Sequence, residues 1–319
     1  MKKFFITAVV LVLIIFSNCK KKDIDVVSIE NNTEENRSQH GNNPCDFSKV
    51  IVQAAEQGPE VWIKKQYDNY GRIISVKGVF FQTVGVGSFP LLKIKYRPGK
   101  IILLNESETD TMVVYYLDRK GNPAWSLSIN MYQFTYEHPS TTGFVNTSEA
   151  IATDQTWLLR YRYHQGRISE IQKAHISEVG PGYDTTWLDE HRFSYDHKKN
   201  LLKLVQPKLI FGGPPSSMSY YYDHSRKAKA QYYPDSKWFP EINLPEYLGL
   251  FPELNPVNVL VKAYWQDLSW TDLNGPIFYK HHAFDTQGRL VSYQSYRWWP
   301  QRWKLKWNCP GVSNHLDHE

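Results

Sequence analysis

The sequence predicts an all-β protein, an extended curved or rolled antiparallel sheet built from successive β-hairpins, with one or two short helices. Three observations lead there. Aromatic residues make up 15% of the chain, with 21 Tyr and 11 Trp against 4 Met, a composition suited to half-buried pleated surfaces. Apolar and polar residues alternate in places: Trp303, Leu305 and Trp307 share one face and Lys304, Lys306 and Asn308 the other. A turn motif recurs, most completely as Phe284-Asp285-Thr286-Gln287-Gly288-Arg289-Leu290. Asp at the first position of a type I turn accepts hydrogen bonds from the turn's own amides, and Gly at the fourth takes the left-handed conformation of a bulged hairpin.

In chain order, Met1-Lys2-Lys3 precedes an apolar run from Phe4 to Phe16 and then Ser17-Asn18-Cys19, the layout of a secretory signal over residues 1–18. The run is too short to span a bilayer comfortably, which takes about 20 residues. Ending at a Cys, the segment resembles a bacterial lipoprotein signal, which implies lipidation of Cys19 and a lipid bilayer as partner; the alternative is an ordinary cleaved signal. Lys20, Lys21 and Lys22 would then lie at the membrane surface. Residues 19–44 are polar and read as a disordered tether.

The single antiparallel β domain spans 45–319. Asp46 or Ser48 caps a short helix through Val50, Ile51, Ala54 and Ala55, stopped by Gly58-Pro59. Strands follow near 61–67, 72–84, 91–97, 111–117, 124–136, 156–163, 167–178, 186–195 and 201–211. More follow near 218–223, 228–233, 256–266, 277–284, 289–298 and 302–308. Between them, Trp238 to Pro256 carries Pro240, Pro245, Pro252 and Pro256 among Leu244, Leu248, Leu250 and Phe251, and reads as an apolar cap with a helical turn near 246–250.

Asp68 to Gly71 and Asp118 to Gly121 repeat the Asp285 to Gly288 turn. Partial copies keep one half of the motif: Gly166-Arg167-Ile168, Tyr195-Asp196 and Tyr222-Asp223. Their uneven spacing excludes a solenoid of fixed period. Tyr-Asp-x-x-Gly-Arg-aliphatic is similar to the YD-repeat motif, and its use behind a lipoprotein-like signal resembles the YD-motif envelope lipoproteins of Bacteroidota. The segment from Leu244 to Val259 also resembles one found between hairpins in that group. The resemblance implies an extended antiparallel sheet at the cell envelope, as an outer-membrane lipoprotein on either the periplasmic or the surface face. It implies no reaction.

Charge excludes a nucleic-acid footprint. Lys2, Lys3, Lys20, Lys21 and Lys22 precede the first acid, Asp23, so of 37 basic residues 32 remain from there on, against 32 acidic ones. Cys45 and Cys309 stand near the two ends of the domain; an exported chain can pair them, and the alternative is two buried thiols. No nucleophile elbow, zinc helix, phosphate loop or dinucleotide fingerprint is present, so no catalytic residue, metal or cofactor is expected. Adjacent His281 and His282 point to opposite faces of a strand, and His191 and His197 read as exposed. Asp267, Asp272, Asn274 and Gly275 fit a β-turn better than a calcium loop. The paired acids Asp189-Glu190 point apart on a strand.

The aromatic C-terminal stretch, with Tyr293, Tyr296, Trp298, Trp299, Trp303 and Trp307 among Arg297, Arg302, Lys304 and Lys306, suits sugar stacking. Alternation assigns most of these aromatics to the core, but one of the adjacent pair Trp298 and Trp299 must face outward on an extended chain. The expected function is a non-enzymatic binding or scaffold module for a glycan or protein ligand. The alternative is an envelope glycan hydrolase with carboxylates brought from separate strands.

Overall fold

A computed structural model describes residues 46–54, 60–82, 85–128, 136–140, 143–147, 157–179, 182–206, 215–236, 240–267, 274–297 and 300–309. The first seven strands are β1 (Asp46–Ala54), β2 (Glu60–Tyr67), β3 (Ile73–Gln82), β4 (Gly85–Arg97), β5 (Lys100–Leu104), β6 (Thr111–Leu117) and β7 (Pro123–Ser128). A hairpin, β8 (Tyr136–Ser140) and β9 (Gly143–Thr147), follows. Then come β10 (Trp157–His164), β11 (Arg167–Val179), β12 (Gly182–Tyr195), β13 (Leu201–Gln206) and β14 (Ser216–Lys227). The last four are β15 (Asn258–Asp267), β16 (Gly275–Phe284), β17 (Leu290–Tyr296) and β18 (Pro300–Asn308).

Consecutive strands pair antiparallel, β7 pairs with β10 across the β8–β9 excursion, and β1 pairs with both β2 and β18. The sheet therefore closes into a 16-stranded barrel with β8 and β9 outside the ring. This corrects the expected open or rolled sheet. The cause is β1: Asp46–Ala54, expected as a helix, is the strand that seals the ring, with Val50 opposite both Ile63 and Leu305. Its inward Phe47, Val50 and Val52 are buried, and that period of two or three with a bulge decides for strand. Strand β5 and the β8–β9 hairpin were not among the expected strands.

A lumen of sixteen strands is wide enough for an aqueous channel. Here the connection from β14 to β15 fills it. That connection holds 3-10 turns at Pro234–Ser236 and Pro252–Leu254 and one helix, α1 (Pro240–Tyr247). Residues 228–233, expected as a strand, open this plug instead. Ile242, Leu244, Tyr247, Leu248, Leu250, Phe251 and Leu254 are buried, and a segment apolar on every side can be satisfied only when walls surround it. Its contacts come from all round the ring. Tyr232 stacks on Phe47 of β1 at 4.2 Å, and Phe251 meets Tyr161 of β10 at 5.5 Å. Tyr220 of β14 donates to the Ser236 carbonyl at 2.9 Å, and Tyr293 of β17 donates to Asp235 at 2.7 Å. Only a segment on the barrel axis reaches all four strands. The sequence had read it as an apolar cap; it is a plug.

Strand parity sorts the connections between the two ends of the barrel. The turns after β2, β4, β6, β10, β12 and β16 lie at one end, with the start of β1, the end of β18 and the mouth of the plug. The connections after β1, β3, β5, β7, β11, β13, β15 and β17 lie at the other.

Candidate functional site

At the turn end, Asp68, Asp118 and Asp285 build one geometry. Asp285 Oδ1 accepts from the amides of Gln287 and Arg289, each at 2.9 Å, while Oδ2 receives the Arg289 guanidinium. Asp68 does the same with Tyr70 and Arg72, and Asp118 with Lys120 and Asn122. Gly71, Gly121 and Gly288 sit at φ +77°, +84° and +76°, which an L side chain rarely adopts. Partial burial alone would raise the Asp285 carboxyl, but the two amides and the guanidinium together hold it below the usual carboxylate range. Every acceptor oxygen is committed to the turn, so this charged pair is architecture and not a reactive site. The partial copies differ in outcome. Asp196 makes the same turn with Lys199 at φ +73° in the glycine position. Gln165 and Gly166, both at positive φ, form a two-residue turn. Asp223 makes no hairpin, because β14 runs on to Lys227 and into the plug.

Inside the barrel several polar groups are tied to one another. Lys65 points inward and is fully buried, with its Nζ 2.8 and 3.0 Å from the Asp46 carboxylate and 3.5 Å over the Phe47 ring. Burial lowers its pKa, and Asp46 opposes that shift. Tyr67 also donates to Asp46 at 2.9 Å. Asn200, Asn258 and Gln231 lace the plug to the β12–β13 turn and to β15. Glu253 accepts from the Ile168 amide at 3.0 Å, and burial raises its carboxyl. These groups pin the plug.

The outer wall presents a different surface. On β14, β15, β16 and β17 the outward residues Tyr221, Lys262, Phe278 and Tyr296 stand opposite one another in register. Tyr221, Tyr264 and Phe278 are about two-fifths exposed, unusual for such large side chains. Lys262 lies over the Tyr221 ring at 3.9 Å, and Lys280 lies 5.9 Å from Phe278 and 5.6 Å from Tyr296. Beside this strip is a shallow depression lined by His281, Ser292, Tyr293, Gln294, Arg302 and Lys304. Three basic side chains and two neutral hydrogen-bonding ones face it without a carboxylate. Two-carboxylate hydrolysis therefore has no purchase there. Sequence reasoning missed Tyr221, Tyr264 and Phe278. The alternation Tyr220, Tyr221, Tyr222 was visible, but not which face would be inside.

Of the C-terminal aromatics, Tyr293, Trp303 and Trp307 fill the lumen and Tyr296 is half-buried on the wall. Trp298 and Trp299 lie outside the described residues, as do Cys19, Cys45 and residues 1–45 generally. Cys309 is buried and disulfide-bonded, beside the Arg289 guanidinium. His281 is exposed and His282 half-buried, both inside the irregularity of β16 between Lys280 and Ala283. Burial pushes the His282 imidazole down to about 4. His197 is exposed, but His191, expected to be so, is buried opposite Ile171, because its strand turns that face into the lumen. Among the described residues no cluster of three His, Cys, Asp or Glu could hold a metal.

No protein-family model matches the chain, and no curated protein is similar to it at a significant level. Among solved structures, two porin-like proteins are similar. A porin-like protein from Bacteroides uniformis shares 13% identity at a TM-score of 0.50, covering 82% of this chain and 98% of its own. A porin-like protein from Bacteroides vulgatus shares 13% identity over the same shares at a TM-score of 0.47. At that identity the first likeness shows the barrel fold alone.

Proposed function

We propose that the protein is a non-conducting barrel, held at the cell envelope by lipid on Cys19, whose outer wall binds an envelope glycan. The polarity of the wall carries this reading. A barrel that spans a membrane faces lipid with apolar residues and keeps polar ones inside. Here the lumen is lined mostly by apolar side chains and is plugged, while Lys64, Lys77, Lys280, Lys304 and Lys306 face outward and are exposed. An outward Lys at the bilayer midplane costs about 2–4 kcal/mol, so a wall with several of them is built for water. The envelope setting draws support from the lipoprotein-like signal and is compatible with porin-like neighbours.

The strip of Tyr221, Tyr264 and Phe278 beside Lys262 and Lys280 has the chemistry of a glycan surface. Flat rings cover sugar faces and ammonium groups meet hydroxyls or carboxylates. Trp298 and Trp299, in the connection from β17 to β18, belong to the same proposal. Register supports a Cys45–Cys309 bridge, since Asp46 and Asn308 already stand opposite each other. The test is retention of the protein on immobilised envelope polysaccharides. Tyr264→Ala with Phe278→Ala should weaken it about tenfold, as loss of two anchoring side chains does at a binding surface. Unchanged retention, or ion conductance by the protein in planar bilayers, would overturn the reading.

A further inference from the structure

We infer that the lysine-lined wall of β18, β1, β2 and β3 docks on the anionic headgroups of the membrane to which the chain is tethered. This rests on the lipid anchor proposed above; the charge pattern that motivates it does not. Register places Lys306 opposite Lys49, Lys49 opposite Lys64, and Lys64 opposite Lys77, one ammonium row across four adjacent strands. Lys304 and Arg302 extend the same face of β18. The only acids on these four strands are Asp46, turned inward to Lys65, and Glu60, at the end of β2 toward the other barrel mouth.

Elsewhere on the wall, several outward cations have company. Lys95 pairs with Glu108 at 2.7 Å, Lys100 sits 4.7 Å from the Tyr116 ring, and Arg160 lies 3.9 Å over Trp187. Among the described residues, Lys49, Lys64 and Lys77 have neither an acid nor a ring. Strands stand about 4.8 Å apart, well inside the Debye length of about 8 Å, and like charges directly opposite destabilise a sheet. The Lys49, Lys64 and Lys77 stretch of the row therefore works against the fold, and an external anionic surface is what would relieve it. The adjoining depression, with Arg302, Lys304 and His281 around Ser292 and Gln294, is shaped to seat a phosphate group of such a surface.

The tether favours a membrane over a soluble polyanion. It enters at β1, whose Lys49 is central to the row. Twenty-six residues separate Cys19 from Asp46. The anchored wall is thus presented to the headgroups at high effective concentration. Docking there turns the aromatic strip of β14 to β16 sideways, away from the bilayer.

The chain from Asp23 onward, which contains the whole closed ring and carries neither lipid nor Lys20 to Lys22, isolates the wall from the anchor. It should sediment with phosphatidylcholine vesicles in proportion to added phosphatidylglycerol, and release as salt rises. K64E/K77E should bind at least about tenfold more weakly, each lysine near an anionic surface being worth severalfold. K100E, on another part of the wall, should not. K49Q/K64Q/K77Q should also bind weakly while melting no lower than the parent, which separates docking from misfolding. Equal binding to neutral vesicles, or binding unaffected by these changes, overturns the inference. So does binding to polyphosphate or an acidic polysaccharide without binding to vesicles. The mass of the protein from its native envelope tests the lipid on Cys19 separately, and a missing lipid leaves the vesicle result standing.

Discussion

The two ends of the barrel are built by different rules. At the turn end, hairpins close over Asp68, Asp118, Asp196 and Asp285 with the same pair of amide bonds, and the plug enters beside them. At the other end, connections share no motif, and one of them carries the whole β8–β9 hairpin. Parity explains why the motif looked irregular along the chain: in an antiparallel ring only every second connection returns to a given end. At the turn end, plug, turn and strand termini lock together. Lys229 donates to the Gly288 carbonyl and Leu290 to the Ala230 carbonyl, both at 2.9 Å, so the Asp285 turn also holds the plug's entry.

The largest effect should come from the plug itself. Phe251→Ala, which removes a fully buried ring beside Tyr161, should cost about 3–5 kcal/mol in urea unfolding. A loss below about 1 kcal/mol would mean that the ring stands without its plug. Asp285→Ala should cost about 1–3 kcal/mol by stranding two turn amides, while Asp223→Ala, at the copy that makes no hairpin, should leave the unfolding midpoint unchanged. Equal costs would erase the distinction between true and partial copies. The folded Asp285 pKa lies below the unfolded value of about 3.9, so its contribution is complete above that value. The Asp285→Ala penalty should therefore shrink as pH falls through the folded pKa.

A smaller effect belongs to His282, near the turn end of β16. Its folded pKa of about 4 lies below the unfolded value of about 6.5, so the unfolded chain binds the proton first. Stability should be complete above about pH 6.5 and fall by about 1–2 kcal/mol toward pH 4, allowing for partial exposure. His282→Gln should flatten that slope in a pH series of melting temperatures. The smallest change should be a gain. Lys199→Gly relieves φ +73° at the one Asp turn lacking glycine and should stabilise by about 1 kcal/mol. A loss would show that the Lys199 side chain contributes more than its strained backbone costs.

Much of this architecture was legible because it is local. Tyr67-Asp68 and Gly71-Arg72 carry their turn within a few residues, and Trp303, Leu305 and Trp307 declare one face by alternation. What failed was non-local. Asp46–Ala54 looked like a capped helix because nothing nearby shows that Lys306 and Leu305 will arrive opposite Lys49 and Val50. The wall was illegible for the same reason. Lys49, Lys64, Lys77 and Lys306 are unremarkable singly in a domain with balanced charge, and closure alone sets them side by side.

The sequence by itself determined an antiparallel β protein, where its Asp-capped turns fall, and that Leu244 to Leu254 must be buried. Short-range hydrogen bonding and the period of two are written in neighbouring residues. Only the tertiary structure decided that the sheet closes, that the apolar segment goes inside it, and which faces the lysines and aromatics share. Ring closure joins residues near opposite ends of the chain, and no local pattern encodes that meeting.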